Sequence, residues 1–175
     1  ERNFVTDRRR SSQQGGKVFS FHQKVFQKVF LFHIDHRDKY EGGKRMNIQK
    51  FTQKSVEAIN DCEKLAYEYG NQEIEQEHLL VALLRQEDGL IPKLIEKMEI
   101  QKEHFVDNAE RHLAARVKVS GGQVYVGQDL NKVLVHAEDE AKAMGDEYVS
   151  VEHLFLCLIK YPNKAMKEIF KEYGI

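Results

Sequence analysis

One internal repeat constrains this chain more than any other feature. Sliding the sequence against itself by 75 residues brings 51–100 onto 126–175 without a gap. Gly70-Asn71-Gln72-Glu73-Ile74-Glu75-Gln76-Glu77-His78-Leu79 falls on Gly145-Asp146-Glu147-Tyr148-Val149-Ser150-Val151-Glu152-His153-Leu154, and Leu83 falls on Leu158. The glycine and the Glu-His-Leu triplet are identical in both copies, and the apolar positions around them agree in type. A period of this size, present twice, predicts a duplicated helical unit and not a solenoid.

Each unit reads as a long helix, a short buried helix and a third helix. In the first unit Thr52 is a predicted N-cap. Phe51, Ser55, Ala58, Ile59, Cys62, Leu65, Ala66 and Tyr69 then recur at three- and four-residue steps, which gives one apolar stripe. Gly70 is expected to end that helix in a left-handed backbone, and Gly145 to do so in the second copy. Leu79 to Leu84 are apolar all round, so the short helix should be buried on every side; Leu154 to Ile159 repeat the pattern. Gly89 and Pro162 punctuate the ends. Leu90, Ile91, Leu94, Ile95 and Met98 form the third helix, echoed by Ala165, Met166, Ile169, Phe170 and Tyr173. A fourth helix follows in the first unit, with Phe105, Ala109 and Leu113 on one face. The second unit reaches Ile175 before any counterpart of it, so truncation there is expected. The expected fold is all-α, with units at 46–119 and 127–175. A flexible link at 120–126, around Ser120-Gly121-Gly122-Gln123, joins them.

Charge divides the chain differently. Lys and Arg number 27 against 28 Asp and Glu, a net charge of −1. Residues 1–45 carry 11 basic and 5 acidic side chains, whereas residues 46–175 carry 16 and 23, so the balances are +6 and −7. The first stretch repeats Lys-Val-Phe at 17–19, 24–26 and 28–30 with neither a helical period nor strict alternation. A basic targeting presequence behind Arg8, Arg9 and Arg10 is one reading, and an RNA-binding tail of interleaved basic and aromatic residues is another. The preferred reading is a translated leader. Glu41-Gly42-Gly43-Lys44-Arg45-Met46 can be encoded with AGGAGG just upstream of ATG, a bacterial ribosome-binding site, so the gene product is expected to start at Met46. The acidic remainder argues against nucleic-acid binding. No apolar run approaches the roughly 20 residues of a membrane span. Cys62 and Cys157 lie far apart without C-x-x-C spacing, which speaks against a disulfide scaffold or zinc site and fits a reducing cytoplasm.

The search for chemistry returns little. No G-x-x-x-x-G-K-[ST], G-x-S-x-G or H-E-x-x-H occurs, so no nucleotide hydrolysis, acyl transfer or zinc proteolysis is expected of this chain alone. Glu75 and His78 form one Glu-x-x-His; a di-iron bundle needs two, and Ser150 stands where the second glutamate would be. His78 and His153 open the buried helices, where capping or packing is their expected role. His104, His112 and His136 fall on polar faces. Cys62 and Cys157 fall on apolar faces, as inert packing. Glu77 and Glu152 each occupy the first turn of a helix, where the dipole favours an anion. Beyond complementing that dipole, the pair could receive a cationic peptide, with arginine met bidentately.

A family resemblance rests on these residues. Phe51-Thr52, Gly70-Asn71-Gln72 with Ile74-Glu75 and Glu77-His78-Leu79, Gly121-Gly122, Gln128-Asp129-Leu130, and Gly145-Asp146 with Glu152 make the chain after Met46 resemble the duplicated N-terminal domain of the Clp family of ring-forming AAA+ unfoldases. The resemblance is nearer the ClpB disaggregase branch. The ClpC protease-partner branch favours Gly-Thr before Glu-His, where this chain has Glu75-Gln76 and Ser150-Val151. It implies a non-catalytic chaperone module of the stress response that binds unfolded or aggregated polypeptides. Absent ATP- and Mg-dependent modules of a cytoplasmic hexamer, working with the DnaK system, would thread those chains. By the same resemblance Thr52, Asp146 and Glu152 form a polar patch beside an apolar groove, two of whose leucines are replaced here by His136 and Glu140. In the ClpC branch the glutamates matching Glu77 and Glu152 bind phosphorylated arginine, so adaptor or phosphoarginine docking is the alternative function.

Overall fold

A computed structural model describes residues 46–175. The expected leader at 1–45 lies outside the described residues. Seven α-helices occur among those described: α1 Gln53–Tyr69, α2 Gln76–Leu84, α3 Leu90–Lys97, α4 Lys102–Ala114, α5 Gln128–Met144, α6 Val151–Lys160 and α7 Lys164–Tyr173. A short 3-10 helix at Ile48–Lys50 and two short strands, β1 Glu73–Ile74 and β2 Tyr125–Val126, complete the order. The class is all-α, with four helices in the first repeat and three in the second.

The helix ends follow from local chemistry. Thr52 caps α1, its Oγ1 accepting the Ser55 N–H at 3.3 Å. Gly70 and Gly145 end α1 and α5 at φ of 71° and 81°, a left-handed backbone that only glycine adopts without cost. Apolar faces then assemble one core. Ala58, Ile59, Leu65 and Ala66 of α1 meet α2, which is buried along its whole length from Gln76 to Leu84. Phe105, Ala109 and Leu113 close over it from α4, and Leu130, Leu134, Leu154 and Leu158 bring in the second repeat. The expected symmetry is incomplete at α6. Leu156 and Ile159 are only half-buried and Glu152 is exposed, because α6 packs on the outside of the assembly where α2 runs through its middle.

The repeats are joined by crossed strand pairing. Ile74, just before α2, pairs in parallel with Val126, just before α5 of the other repeat. Val149, just before α6, pairs in parallel with Phe51, just before α1. The bonds match residue for residue across the repeat. Gly127 N–H donates to Ile74 O at 2.8 Å, and Thr52 N–H donates to Val149 O at 2.9 Å. The segment at 120–126 is therefore a link only in its first part, since Tyr125 and Val126 are strand residues held between repeats.

Candidate functional site

The site is built at the two strand junctions, and each begins with a histidine. Nδ1 of His78 accepts the Glu75 backbone N–H at 3.0 Å, and Nδ1 of His153 accepts that of Ser150 at 3.0 Å. A backbone amide can only donate, so both Nδ1 atoms are unprotonated. The other nitrogen, Nε2, then faces Asn71 Oδ1 at 3.2 Å in the first repeat and Asp146 Oδ2 at 3.1 Å in the second. Both imidazoles are thus spent on fixing the helix start and its approach loop.

At the Phe51–Val149 junction, the bridge holds Thr52 against the segment that carries Asp146 and Glu152. Thr52 is half-buried, while Asp146 and Glu152 are exposed. Ser55 reinforces the junction, its Oγ donating to Val149 O at 3.0 Å. Asp146 is steadied by His153, whereas no hydrogen bond or ion pair among the described residues restrains Glu152. Met144 and Tyr148 stand out beside Asp146 at 56% and 50% exposure. The edge therefore offers apolar surface next to acidic oxygens. His136 and Glu140 are not bare polar groups. His136 stacks on Tyr161 with ring centres 4.2 Å apart, and Glu140 accepts from Lys160 Nζ at 2.7 Å.

The other junction receives Glu77, so the four expected site residues do not form one patch. Glu77 is only 3% exposed. Its carboxylate accepts Arg116 Nη1 at 2.7 Å and Asn163 Nδ2 at 2.9 Å. An open cleft of about 570 Å³ lies there, lined by Glu73, Glu75, Glu77, Asp129, Arg116 and Lys164 among others. Sequence reasoning missed Arg116, which is 39 residues from its partner. It also missed Gln76, 1% exposed, which donates to Asp129 O and Tyr161 O and accepts the Asn163 N–H, stitching the repeats together. Burial raises the Cys62 thiol far above its usual range and pushes Cys157 up to about 12, so both are held as thiols. Among the described residues, no three His, Cys, Asp or Glu side chains converge as a metal site, and no helix is long and apolar enough to cross a membrane.

Comparison with known proteins identifies the family. The Clp repeat (R) N-terminal domain matches residues 50–173. The chaperone protein ClpB of Nitratidesulfovibrio vulgaris is 43% identical over 136 residues, covering 74% of this chain and 16% of the relative, so the chain spans about a sixth of that relative's length. The Hsp104 N-terminal domain of Candida albicans superposes with a TM-score of 0.65 at 23% identity, over 72% of this chain and 83% of that one. A ClpV N-domain in complex with a VipB peptide superposes with a TM-score of 0.60 at 17% identity, over 71% and 79%. At those identities the two structures speak to fold alone. The match over 50–173 and the ClpB likeness carry the assignment: the chain belongs to the Clp repeat N-terminal domain family and is similar to the N-terminal region of ClpB chaperones.

Proposed function

We propose that the chain recognises unfolded or aggregated polypeptides through the exposed edge at the Phe51–Val149 junction. The observation that carries this reading is the juxtaposition of Thr52 with the 146–152 segment, where Met144 and Tyr148 supply apolar contact and Asp146 and Glu152 supply charge. The balance of −7 over residues 46–175 favours segments that bear Lys or Arg. The chain has no catalytic role in this reading. Threading would fall to ATP- and Mg-dependent modules of a hexameric, cytoplasmic ClpB-type parent working with a DnaK-type system. The test is a titration of a permanently unfolded polypeptide against the wild type and Thr52→Ala/Asp146→Asn/Glu152→Gln. Affinity is expected to fall about tenfold, the loss of roughly 1.4 kcal/mol of contact. Equal affinity in the variant, or no binding by the wild type, sinks the reading.

A second reading has one observation in its favour. Glu77 shows that this fold can hold a guanidinium, and an arginine or phosphoarginine tag would have to displace Arg116 to use the same carboxylate. The ClpV N-domain with its bound VipB peptide supports partner docking as a use of this fold. A phosphoarginine titration against Glu77→Ala/Glu152→Ala separates the two readings. Saturable binding that the double substitution abolishes favours docking, and heat-free mixing throughout rejects it.

A further inference from the structure

The two repeats start their first helices in different ways. Thr52 caps α1 with its own side chain, on the Ser55 N–H at 3.3 Å. The matching position before α5 is Gly127, which has no side chain to offer. The matching amide, Leu130 N–H, donates instead to Oε2 of Glu75 at 3.1 Å, and Glu75 belongs to the other repeat. A Cβ at Gly127 would collide with that carboxyl. The counterpart of Glu75 in the second repeat is Ser150, a short side chain that turns back onto His153 at 2.9 Å. Thr52 goes with Ser150 at one junction, and Gly127 goes with Glu75 at the other.

These pairs match in one combination only. A first repeat set against another first repeat would put Thr52 opposite Glu75, with a threonine side chain in the space that the carboxyl fills. Glu75 would be pushed out of its buried position and would lose its Leu130 donor. A second repeat set against another second repeat would put Gly127 opposite Ser150, and the Leu130 N–H would have no acceptor. First against second satisfies the starts of both α1 and α5. The match lies in the junctions and not in the covalent link. No hydrogen bond or ion pair among the described residues holds 120–124, Ser120 to Gln123 are exposed, and those five residues reach about 17 Å when extended. Within each repeat the first two helices pack on each other, α1 on α2 and α5 on α6.

We propose that this asymmetry is a pairing code that also operates between copies: the surface each repeat shows its neighbour fits the opposite repeat of a second copy of this chain, so two copies exchange repeats, first against second, with every junction in its present form. Glu75 and Gly127 are the residues that set the specificity, because they alone forbid like against like. In the single chain the link keeps the matched repeats side by side. Exchange therefore shows when the match within one chain is spoiled and a second copy restores it.

Two full-length variants test this together. Gly127→Thr collides with Glu75 of its own chain, and Glu75→Ser leaves its own Leu130 N–H uncapped. Between the two chains both faults disappear. Glu75 of the first variant meets Gly127 of the second, and the introduced threonine and serine repeat the arrangement at Thr52 and Ser150. Equimolar variants are warmed through partial unfolding, cooled and sized by chromatography with light scattering. A species of twice the chain mass is expected, about tenfold more abundant than from either variant alone or from Gly127→Thr mixed with wild type. Glu75→Ser/Gly127→Thr in one chain should fold as a monomer and melt above both single variants, which shows that each change is tolerated once matched. Absence of the doubled mass while that variant folds overturns the proposal. Equal amounts from matched and mismatched mixtures, or a double variant no more stable than the single ones, overturn it too.

Discussion

His78 accepts the backbone N–H of Glu75 through Nδ1 at 3.0 Å, so the side chain of one residue needs to be uncharged for the other to begin its helix. Burial, and after it the Arg116 charge, lower His78 from 6.5 to about 4. Glu75 moves the opposite way, from 4.5 to about 7. In the unfolded chain His78 binds a proton between pH 6.5 and 4 that the folded chain refuses, so this term costs stability as pH falls. Glu75 binds a proton in the folded chain between pH 4.5 and 7 that the unfolded chain has released, so its term costs stability as pH rises. The windows overlap and the slopes oppose. Urea unfolding of the wild type should therefore be nearly flat from pH 4.5 to 6.5, as far as these two groups decide it. Glu75→Gln should expose a rise in stability with pH, and His78→Asn a fall, each with an amplitude of about 3 kcal/mol at saturation. Parallel profiles in all three proteins would contradict this.

Glu77 is buried and pairs with the half-buried Arg116, so removal of Arg116 strands a desolvated carboxylate. Arg116→Ala should cost about 3 kcal/mol because it leaves a desolvated carboxylate with only Asn163. Adding Glu77→Gln to that variant should return most of the loss. A double-mutant cycle from denaturant midpoints measures the coupling; a coupling near zero would show that the pair is not desolvated in solution.

Helix α3 tests burial residue by residue. Ile91 and Ile95 are fully buried, while Leu90, Leu94 and Met98 form an exposed stripe. Ile95→Ala should cost about 2–5 kcal/mol, by lost transfer energy and the cavity left behind. Leu94→Ala should stay within about 1 kcal/mol. Similar losses at both positions, read by thermal unfolding, would mean that the stripe is covered in solution.

Cys62 and Cys157 should resist a thiol reagent in the folded chain. Both are buried, with thiol ionisation suppressed and Cys157 pushed up to about 12. Labelling should become fast only in denaturant, with both sites reacting together as the core opens. Fast labelling of either site under native conditions would show that its helix opens separately.

Much of the architecture was legible in residues that act locally. The α1 stripe, Thr52 as a cap, Gly70 and Gly145 as left-handed ends and the apolar run Leu79–Leu84 of α2 each follow from neighbours within one or two helical turns. What stayed hidden depends on distant partners. The strands are two residues long and carry no periodic signal, so Ile74–Val126 and Phe51–Val149 could not be read. Glu77 read as an accessible carboxylate because Arg116 and Asn163 reach it from elsewhere in the fold. His136 read as a polar-face residue because Tyr161 lies one helix away. One signal is present in the sequence: the repeats disagree at Thr52 against Gly127 and at Ser150 against Glu75. Those two mismatches sit on either side of one contact, so a failure of internal similarity marked where the repeats touch.

The crossed pairing has a consequence for assembly. Each repeat lends the strand before its second helix to the strand before the other's first helix, and the loan is returned in kind. Geometrically the two repeats stand to each other as the protomers of a twofold dimer, with the same patch used on both sides. The Gly121-Gly122 connector then works as a tether that sets effective concentration, so the second ladder zips without a bimolecular search. Either repeat alone would keep its helices' apolar faces but lose both ladders at once.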